Sequence, residues 1–417
     1  MKMELIQADF NIVTPMFLGE ADGQCASQIR PPAIKGALRF WWRALNWAPI
    51  RRGYRTDAEA LVELHKQEAD LFGRSAKTGL DGKKQIGGQG MFLFRVSEQK
   101  VSRSTDNNFV VKENLPALAY LLGQGLYEHE NKKKQKPAKI TRNYLPGRGS
   151  FTLKLALKSG QGGINASQKQ QLLDVLTCFG LLGCLGSRAR KGFGSVSIKK
   201  LTLGDTEQPL PKDEEAYKTQ LKELLGKCFE LQTEPPLTAF SDLSRIQIGG
   251  RGKSAMELLS DHGYEMGMYR GYGNSGQTFN QKAEQNFQQD HDWAYAIANG
   301  KGQTYLPKRT AFGLPHPYFL SSIKRSVAVD VDNGNGRRAS PLFGHVHELP
   351  SGQYLLIHLV LQSQFLPSNT AINVKGSHQG ARFNMTGQKV SADIDWKVLD
   401  DFLKRFNPTD KDIIHGR

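Results

Sequence analysis

Residues 151–203 read FTLKLALKSGQGGINASQKQQLLDVLTCFGLLGCLGSRARKGFGSVSIKKLTL. FTLKLAL from Phe151 alternates apolar and polar residues, the pattern of a strand with one buried face. SQKQQLLDVLTCFGLLG from Ser167 reads as a helix, and SVSIKKLTL from Ser195 as a strand again. A glycine-rich loop joins that helix to that last strand. Upstream, LIQADFNIV from Leu5 sets Ile6, Ala8, Phe10 and Ile12 on one side of an extended chain. Pro31 and Pro32 then open a helix in which Ile34, Leu38, Trp41 and Leu45 recur at helical spacing. A second helix starts at Thr56, with Glu59 placed for a capping box, packs through Leu61, Leu64 and Leu71, and stops at Gly73. MFLFRV from Met91 reads as a strand. The order predicts an α+β fold built on a βαββαβ sheet with helices on one face. An insertion around residues 97–145, containing the solvated run KKKQK from Lys132, elaborates it.

The chain's 417 residues suffice for two or three domains. GDTEQPLPKDEE, starting at Gly204, is acidic and proline-bearing, which places a boundary there and divides the chain into residues 1–204 and 205–417. The second part is expected to hold a helix from Asp213 to Leu225, polar glycine-rich loops between 249 and 277, and a helical stretch in 280–299. A strand QYLLIHLVLQSQF from Gln353 follows, then a C-terminal helix with Leu399, Phe402, Leu403 and Phe406 on one face, capped by Asp393 or Asp395.

Lysine and arginine number 56 against 40 acidic residues, a net charge of +16 that favours a polyanion through counterion release. The four cysteines, Cys25, Cys178, Cys184 and Cys228, have neither CxxC nor zinc spacing, which suits a reduced, cytoplasmic protein. Glu4, Gln7 and Asp9 break any secretory apolar run, and the stretch from Leu172 is too short to span a bilayer, so a soluble protein without a membrane partner is expected.

The loop GCLGSRARKGFGSV offers Arg188, Arg190 and Lys191, with Ser187, between Gly186, Gly192 and Gly194. Glycines let a backbone turn through positive φ and approach a ligand, while guanidinium forks match phosphate oxygens. In the first helix Lys35, Arg39 and Arg43 fall at i, i+4 and i+8, a basic stripe with no acid on its own face and with Arg30 just upstream. Trp42 sits between that stripe and the core face, where an indole either stacks on a base or packs. Arg270, flanked by Tyr269 and Tyr272, and Arg309, Arg337 and Arg338 are further candidate phosphate contacts. GGRGKS from Gly249 lacks the first glycine of a P-loop, since position 247 is Gln247. GYGNSG from Gly271 matches GxGxxG without a buried strand before it. DVDNGNG from Asp330 has Gly334 and Pro341 where a calcium loop needs ligands, and His345 and His347 read as a polar strand edge without a third metal ligand. No metal, cofactor or catalytic residue is assigned.

TPMFLG from Thr14, IRPPAIKGALRFWWRAL from Ile29, ADLFG and GGQG, and GCLGSRARKGFGSV together resemble the RAMP superfamily of CRISPR-associated RNA-binding proteins, which serve antiviral defence. With YLPKRTAFGLP from Tyr305 and RRASPLFGHV from Arg337, the likeness covers almost the whole chain and is greatest to the first-numbered subunits of type III-B Cmr effector complexes. That resemblance implies two ferredoxin-like, RRM-related domains with insertions and no catalytic duty. It also implies crRNA, target RNA and other RAMP-family Cmr subunits as partners, with a position at the head end near the 3′ part of the guide. It places Arg188, Arg190 and Lys191 on the family's glycine-rich loop and Lys35, Arg39 and Arg43 on the basic face of the first helix. The second half departs from the pattern, because no SRxRxGFG loop precedes its last strand. Two competing readings are a metal-independent crRNA-processing endoribonuclease using a histidine base, and a cap that contacts only protein.

Overall fold

The computed structural model describes residues 4–416 except 20–27, 76, 79–83, 86, 105–108, 113–114, 132–134, 302–304, 332–335, 368–369, 371, 379–380 and 389–393. Lys132 to Lys134 of the basic run and Asp393 therefore lie outside the described residues.

In the first half, β1 (Leu5–Ile12) turns Ile6, Ala8, Phe10 and Ile12 inward, as its alternation demands. It pairs antiparallel with β3 (Ser150–Leu157), Ile6 opposite Leu155, and with β4 (Val196–Leu203), Ile6 opposite Leu203. The strand β2 (Phe92–Lys100) closes the far side against β3, giving the order β4-β1-β3-β2. Numbered along the half, that is 4-1-3-2, the order of a ferredoxin-like βαββαβ sheet. Helices α1 (Pro31–Arg51) and α2 (Asp57–Phe72) connect the first two strands, and α5 (Ala166–Leu182) the last two. The Thr56–Glu59 capping box forms in full, and a second, Asn165 with Gln168, starts α5 slightly before the predicted helix. Gly180 lets α5 lie directly on β4, since a Cβ there would sit 2.4 Å from the Ile198 Cβ. In α2, Leu64 and Leu71 are buried but Leu61 is 38% exposed: its place in the turn faces away from α1, so it does not pack as predicted. The 97–145 insertion carries two short helices, α3 (Phe109–Lys112) and α4 (Pro116–Leu122).

The second half repeats the scheme. Its sheet contains β5 (Arg245–Gly252), β8 (Leu342–Glu348), β9 (Tyr354–Val360) and β12 (Ile413–His415) in the order β12-β5-β9-β8, all neighbours antiparallel. That is 4-1-3-2 again, so the strand set is complete despite the missing motif. Between these strands lie α7 (Ala255–Arg270), α8 (Gln288–Ala298), α9 (Lys397–Lys404) and a separate sheet of β6 (His316–Leu320), β7 (Arg325–Val331), β10 (Ile372–His378) and β11 (Ala381–Gln388). The loops expected between 249 and 277 are a correction. Gly249 to Gly252 extend β5, and Ser254 caps α7, because Leu258, Leu259, Met266 and Tyr269 bury a helical face that the intervening glycines and charges disguise. In α9, Asp395 accepts from the Lys397 amide at 3.1 Å, while Leu399, Phe402 and Leu403 are buried.

Sheet β12-β5-β9-β8 is covered on both faces. Ile246, Leu355, Ile357 and Leu359 join the core of the first half, along with Tyr217, Leu221 and Leu225 of α6 (Glu214–Leu225). Leu342, Val346, Leu356 and Val360 face a second core with α4, α7, α8 and α9. Double burial explains why β9, YLLIHLV, reads as a near-continuous apolar run broken only by His358. Among the described residues, no helix is long and apolar enough to cross a membrane.

Candidate nucleic-acid interface

After α5 the chain turns through four left-handed positions, Gly186 at φ +91°, Arg188 at +63°, Gly192 at +86° and Gly194 at +70°. These turns hold the loop against the start of the chain. The Ser187 amide donates to Phe17 O (2.8 Å), the Gly194 amide to Pro15 O (2.9 Å), and the Thr14 hydroxyl to Gly192 O (2.6 Å). A Cβ on Gly194 would stand 2.0 Å from Leu185 O, so the position is closed to any side chain.

The loop also reaches the second half. Amides along the edge of β8 donate to it and to the start of β4, Gly344 to Arg190 O (3.0 Å), Val346 to the Ser195 hydroxyl (3.1 Å) and Glu348 to the Ser197 hydroxyl (2.8 Å). An otherwise unpaired sheet edge is thereby satisfied. Arg188 donates through Nε to Leu122 O (2.7 Å) and Nη2 to Gln124 O (2.8 Å), and Lys191 through Nζ to Leu121 O (3.1 Å). These are carbonyls at the C-terminal end of α4, where orphan acceptors and the helix dipole favour cations. Arg190 stacks 4.4 Å from the centre of Phe343 and donates to Ser340 O. The forks expected to hold phosphate are thus partly engaged by main-chain oxygen, because the loop doubles as the joint between the two sheets.

Its charge is nevertheless unbalanced. Burial, with Arg337 nearby, lowers the pKa of Arg188. Burial, with Arg338 nearby, pushes Arg190 down to about 10. Burial, then Arg270 and Arg188, push the Lys191 ammonium down to about 7. Among the described residues no carboxylate pairs with Arg188, Arg190, Lys191, Arg270 or Arg337. Arg337 is exposed, and Arg270 lies 4.5 Å over the Phe312 ring. The structure therefore brings Arg188, Lys191, Arg270 and Arg337 into one cluster from both halves. Nothing in the sequence signals that convergence, since α7 and the segment before β8 are remote along the chain.

Two other candidates serve the interior. Arg309 is 3.5 Å from Asp290, a buried carboxylate that also accepts from the amides of Lys308 and Arg309 (both 2.9 Å) and from two tyrosine hydroxyls. Arg338 donates to the Ser363 hydroxyl at 2.8 Å. On α1, the acid absent from the helix's own face comes from α2: Glu68, 3% exposed, meets Arg39 Nε at 2.7 Å and Arg43 Nη1 at 2.6 Å. One carboxylate against two guanidiniums and Lys35 leaves the stripe positive. Lys35 and Arg39, with Arg74, line an open cleft of about 500 Å³. Arg30 is exposed and donates to Gly19 O at 2.5 Å. Trp42 does not stack on a ligand: it is fully buried against Phe72, its indole N–H donating to Gln171 at 3.2 Å, because the helix turns it toward α5. The outer face of the first sheet, where an RRM-related domain would carry stacking rings, presents Gln7, Asp9, Asn11, Lys154 and Arg95 with Leu5, Leu93 and Ala156, and no aromatic ring among the described residues.

His345 and His347 are not a polar edge. Both are buried because β8 is enclosed by the first half. His347 Nδ1 lies 3.3 Å from the Ser197 hydroxyl and His345 Nδ1 3.7 Å from the Cys184 sulfur. His262 and His358 share a 3.1 Å ring contact nearby. Burial lowers all four pKa values, His262 and His345 to about 3.

Known proteins place this geometry. A Cmr subunit of the CRISPR system from Pyrococcus furiosus, Cmr1-1, is 24% identical over 398 residues, covering 90% of this chain and 87% of the relative. The crystal structure of Cmr1 from Pyrococcus furiosus in its apo form superposes with a TM-score of 0.54 at 18% identity, covering 99% of both chains, so the fold is shared. A chain in a cryo-EM structure of a type III-B Cmr-beta complex bound to cognate target RNA gives a TM-score of 0.49 at 14% identity, covering 97% of this chain and 99% of that one. The RAMP superfamily model matches residues 9–197, from β1 into β4 with the glycine loop included.

Proposed function

We propose that the chain is a non-catalytic RNA-binding subunit of a type III-B Cmr effector complex. Its place is at the head end near the crRNA 3′ region, where it assists engagement of target RNA beside other RAMP-family subunits. The observation that carries this reading is the group of Arg188, Arg270 and Arg337 around the partly protonated Lys191, basic side chains from both halves gathered where the glycine loop meets α4 and α7, without a carboxylate partner among the described residues. Mutual repulsion and desolvation destabilise such a group, and charge-assisted hydrogen bonds to a phosphate chain offset that cost. The outer face of the first sheet carries no aromatic ring among the described residues, which supports backbone contact over base stacking there.

The nuclease reading gains little support. A histidine base must reach a ribose hydroxyl, directly or through one water. His262, His316, His345, His347 and His358 are buried away from any ribose hydroxyl, while the exposed His65 and His129 stand on α2 and in the insertion.

The test is charge reversal at Arg337 alone and together with Arg188, read by fluorescence anisotropy on single-stranded RNA at several salt concentrations. A weakening of roughly ten- to a hundredfold for the double variant is expected, with a shallower salt dependence. Unchanged affinity and slope would sink the proposal.

A further inference from the structure

An open cleft of about 450 Å³ lies between the insertion, the start of the chain and the β5–α7 turn. Phe109, Tyr144 and Tyr354 supply aromatic walls, and Arg148 and Lys253 stand at its rim, both exposed. Among the described residues neither cation pairs with a carboxylate, whereas Glu348 beside Tyr354 is already held by Lys199 (3.1 Å) and Asn11 (2.7 Å). The amides of Ala255 and Met256, on the same wall, meet no acceptor among the described residues. Val13 and Pro15 line the floor on either side of Thr14, whose hydroxyl holds Gly192, so cleft and glycine loop share a wall.

We propose that this cleft is a nucleotide subsite for one unpaired residue of an RNA strand, the base against Tyr354 and a phosphate between Arg148 and Lys253. The volume suits one nucleotide, within the usual range of roughly 300–1,000 Å³ for small-ligand clefts. Aromatic walls bind any base through its π face, and exposed cations at the mouth bind phosphate without ordering a buried charge. The first sheet lacks a stacking face, and this cleft supplies one at the joint between the halves. The proposal rests on the RNA-binding reading and adds residues outside the cationic cluster.

The experiment uses the full chain and a fluorescein-labelled single-stranded polyuridine oligonucleotide, with AMP as a free-nucleotide probe. Three variants are compared: Arg148→Glu with Lys253→Glu, Tyr354→Ala, and Arg337→Glu. The first two are expected to weaken oligonucleotide binding about tenfold each. 4-Thiouridine-substituted RNA is expected to crosslink to a peptide containing Tyr144 or Tyr354. Oligonucleotide affinity unchanged in both cleft variants, with no such adduct, overturns the subsite while loss in Arg337→Glu leaves the RNA reading standing. Retained affinity in Arg337→Glu with loss in the cleft variants reverses that assignment. AMP binding as tightly as the oligonucleotide overturns the strand as ligand in favour of a free nucleotide.

Discussion

In the first half the step from α5 to β4 takes the glycine loop of residues 183–195; in the second, the step from α9 to β12 takes residues 405–412. The two stand at the same place in two sheets of the same strand order. The second is electrostatically closed. Arg405 meets Glu265 and Glu284, both at 2.7 Å, and Arg251 bridges Glu214 (2.6 Å) and Asp412 (2.5 Å). Asp412 also accepts from the amide and hydroxyl of Thr409 at 2.8 and 2.6 Å. The first loop is electrostatically open, its cations facing carbonyls and other cations. A fold can evidently make this connection with balanced charge and a single left-handed residue, Asn407 at φ +47°. Four left-handed positions and uncompensated cations are therefore not demanded by strand order alone: the turns serve the joint with β8 and α4, and the unpaired charge is what the proposed RNA contact would take up.

The largest effect that separates the loops is steric. Gly194→Ala puts a methyl against Leu185 O in a backbone region that disfavours it, and we expect a loss of about 3–5 kcal/mol or failure to accumulate as folded protein. Asn407→Gly in the second loop should change stability by less than about 1 kcal/mol. Thermal unfolding of the two variants compares them directly. A folded Gly194→Ala protein of normal stability would show that the loop is not the rigid joint described.

The sheet and main helices of the first half were legible because the period of β1 and β3, the capping box at Thr56 and the glycines after α5 all point one way; α3 and α4 of the insertion were not, since they sit in a stretch that reads as polar and pack into the second core. The second half hid its helix α7 behind Gly263, Gly267 and a run of charges, since contacts with α4 and the β9 sheet, not a clean stripe, bury it. In the site, residue types were readable and partners were not. Glu68 lies on another helix from Arg39, and Arg270 is brought to Lys191 only by the docking of two sheets.

Acid should also separate the two regions. The histidines behind the first loop have folded pKa values below their unfolded value, so the unfolded chain binds more protons as pH falls. The stability they allow is complete above about pH 6.5 and is lost below it. His262 and His345, at about 3, each contribute a loss of about 2 kcal/mol by pH 5. In the second loop desolvation opposes ionisation of Asp412, but hydrogen bonds from Thr409 and Arg251 outweigh it and hold the carboxyl at about 2. Its contribution is present above the usual aspartate value and fails only as pH falls from about 4 toward 2. Chemical denaturation across pH should show destabilisation beginning near 6.5. His345→Gln should flatten that limb, whereas Asp412→Asn should leave it intact. A profile flat from pH 7 to 5 would contradict the burial of these rings.

The smallest effect gives the comparison its sharpest form, because it asks whether charge in the two loops has different work. Arg405→Ala removes a cation of the same formal charge as Arg337, yet it leaves Glu265 and Glu284 without their shared partner. Partly exposed ion pairs are worth about 1 kcal/mol or less, so a small drop in unfolding free energy is expected. RNA affinity should stay within about twofold, since a cation already neutralised by two carboxylates releases few counterions. Arg337→Ala should do the reverse, leaving stability unchanged and flattening the salt dependence of RNA binding by about 0.7 in the log–log slope if it meets one phosphate of a single strand. Equal losses of RNA affinity in the two variants would mean that net charge alone attracts the polyanion, and that the grouping of Arg188, Lys191, Arg270 and Arg337 has no special part in holding it.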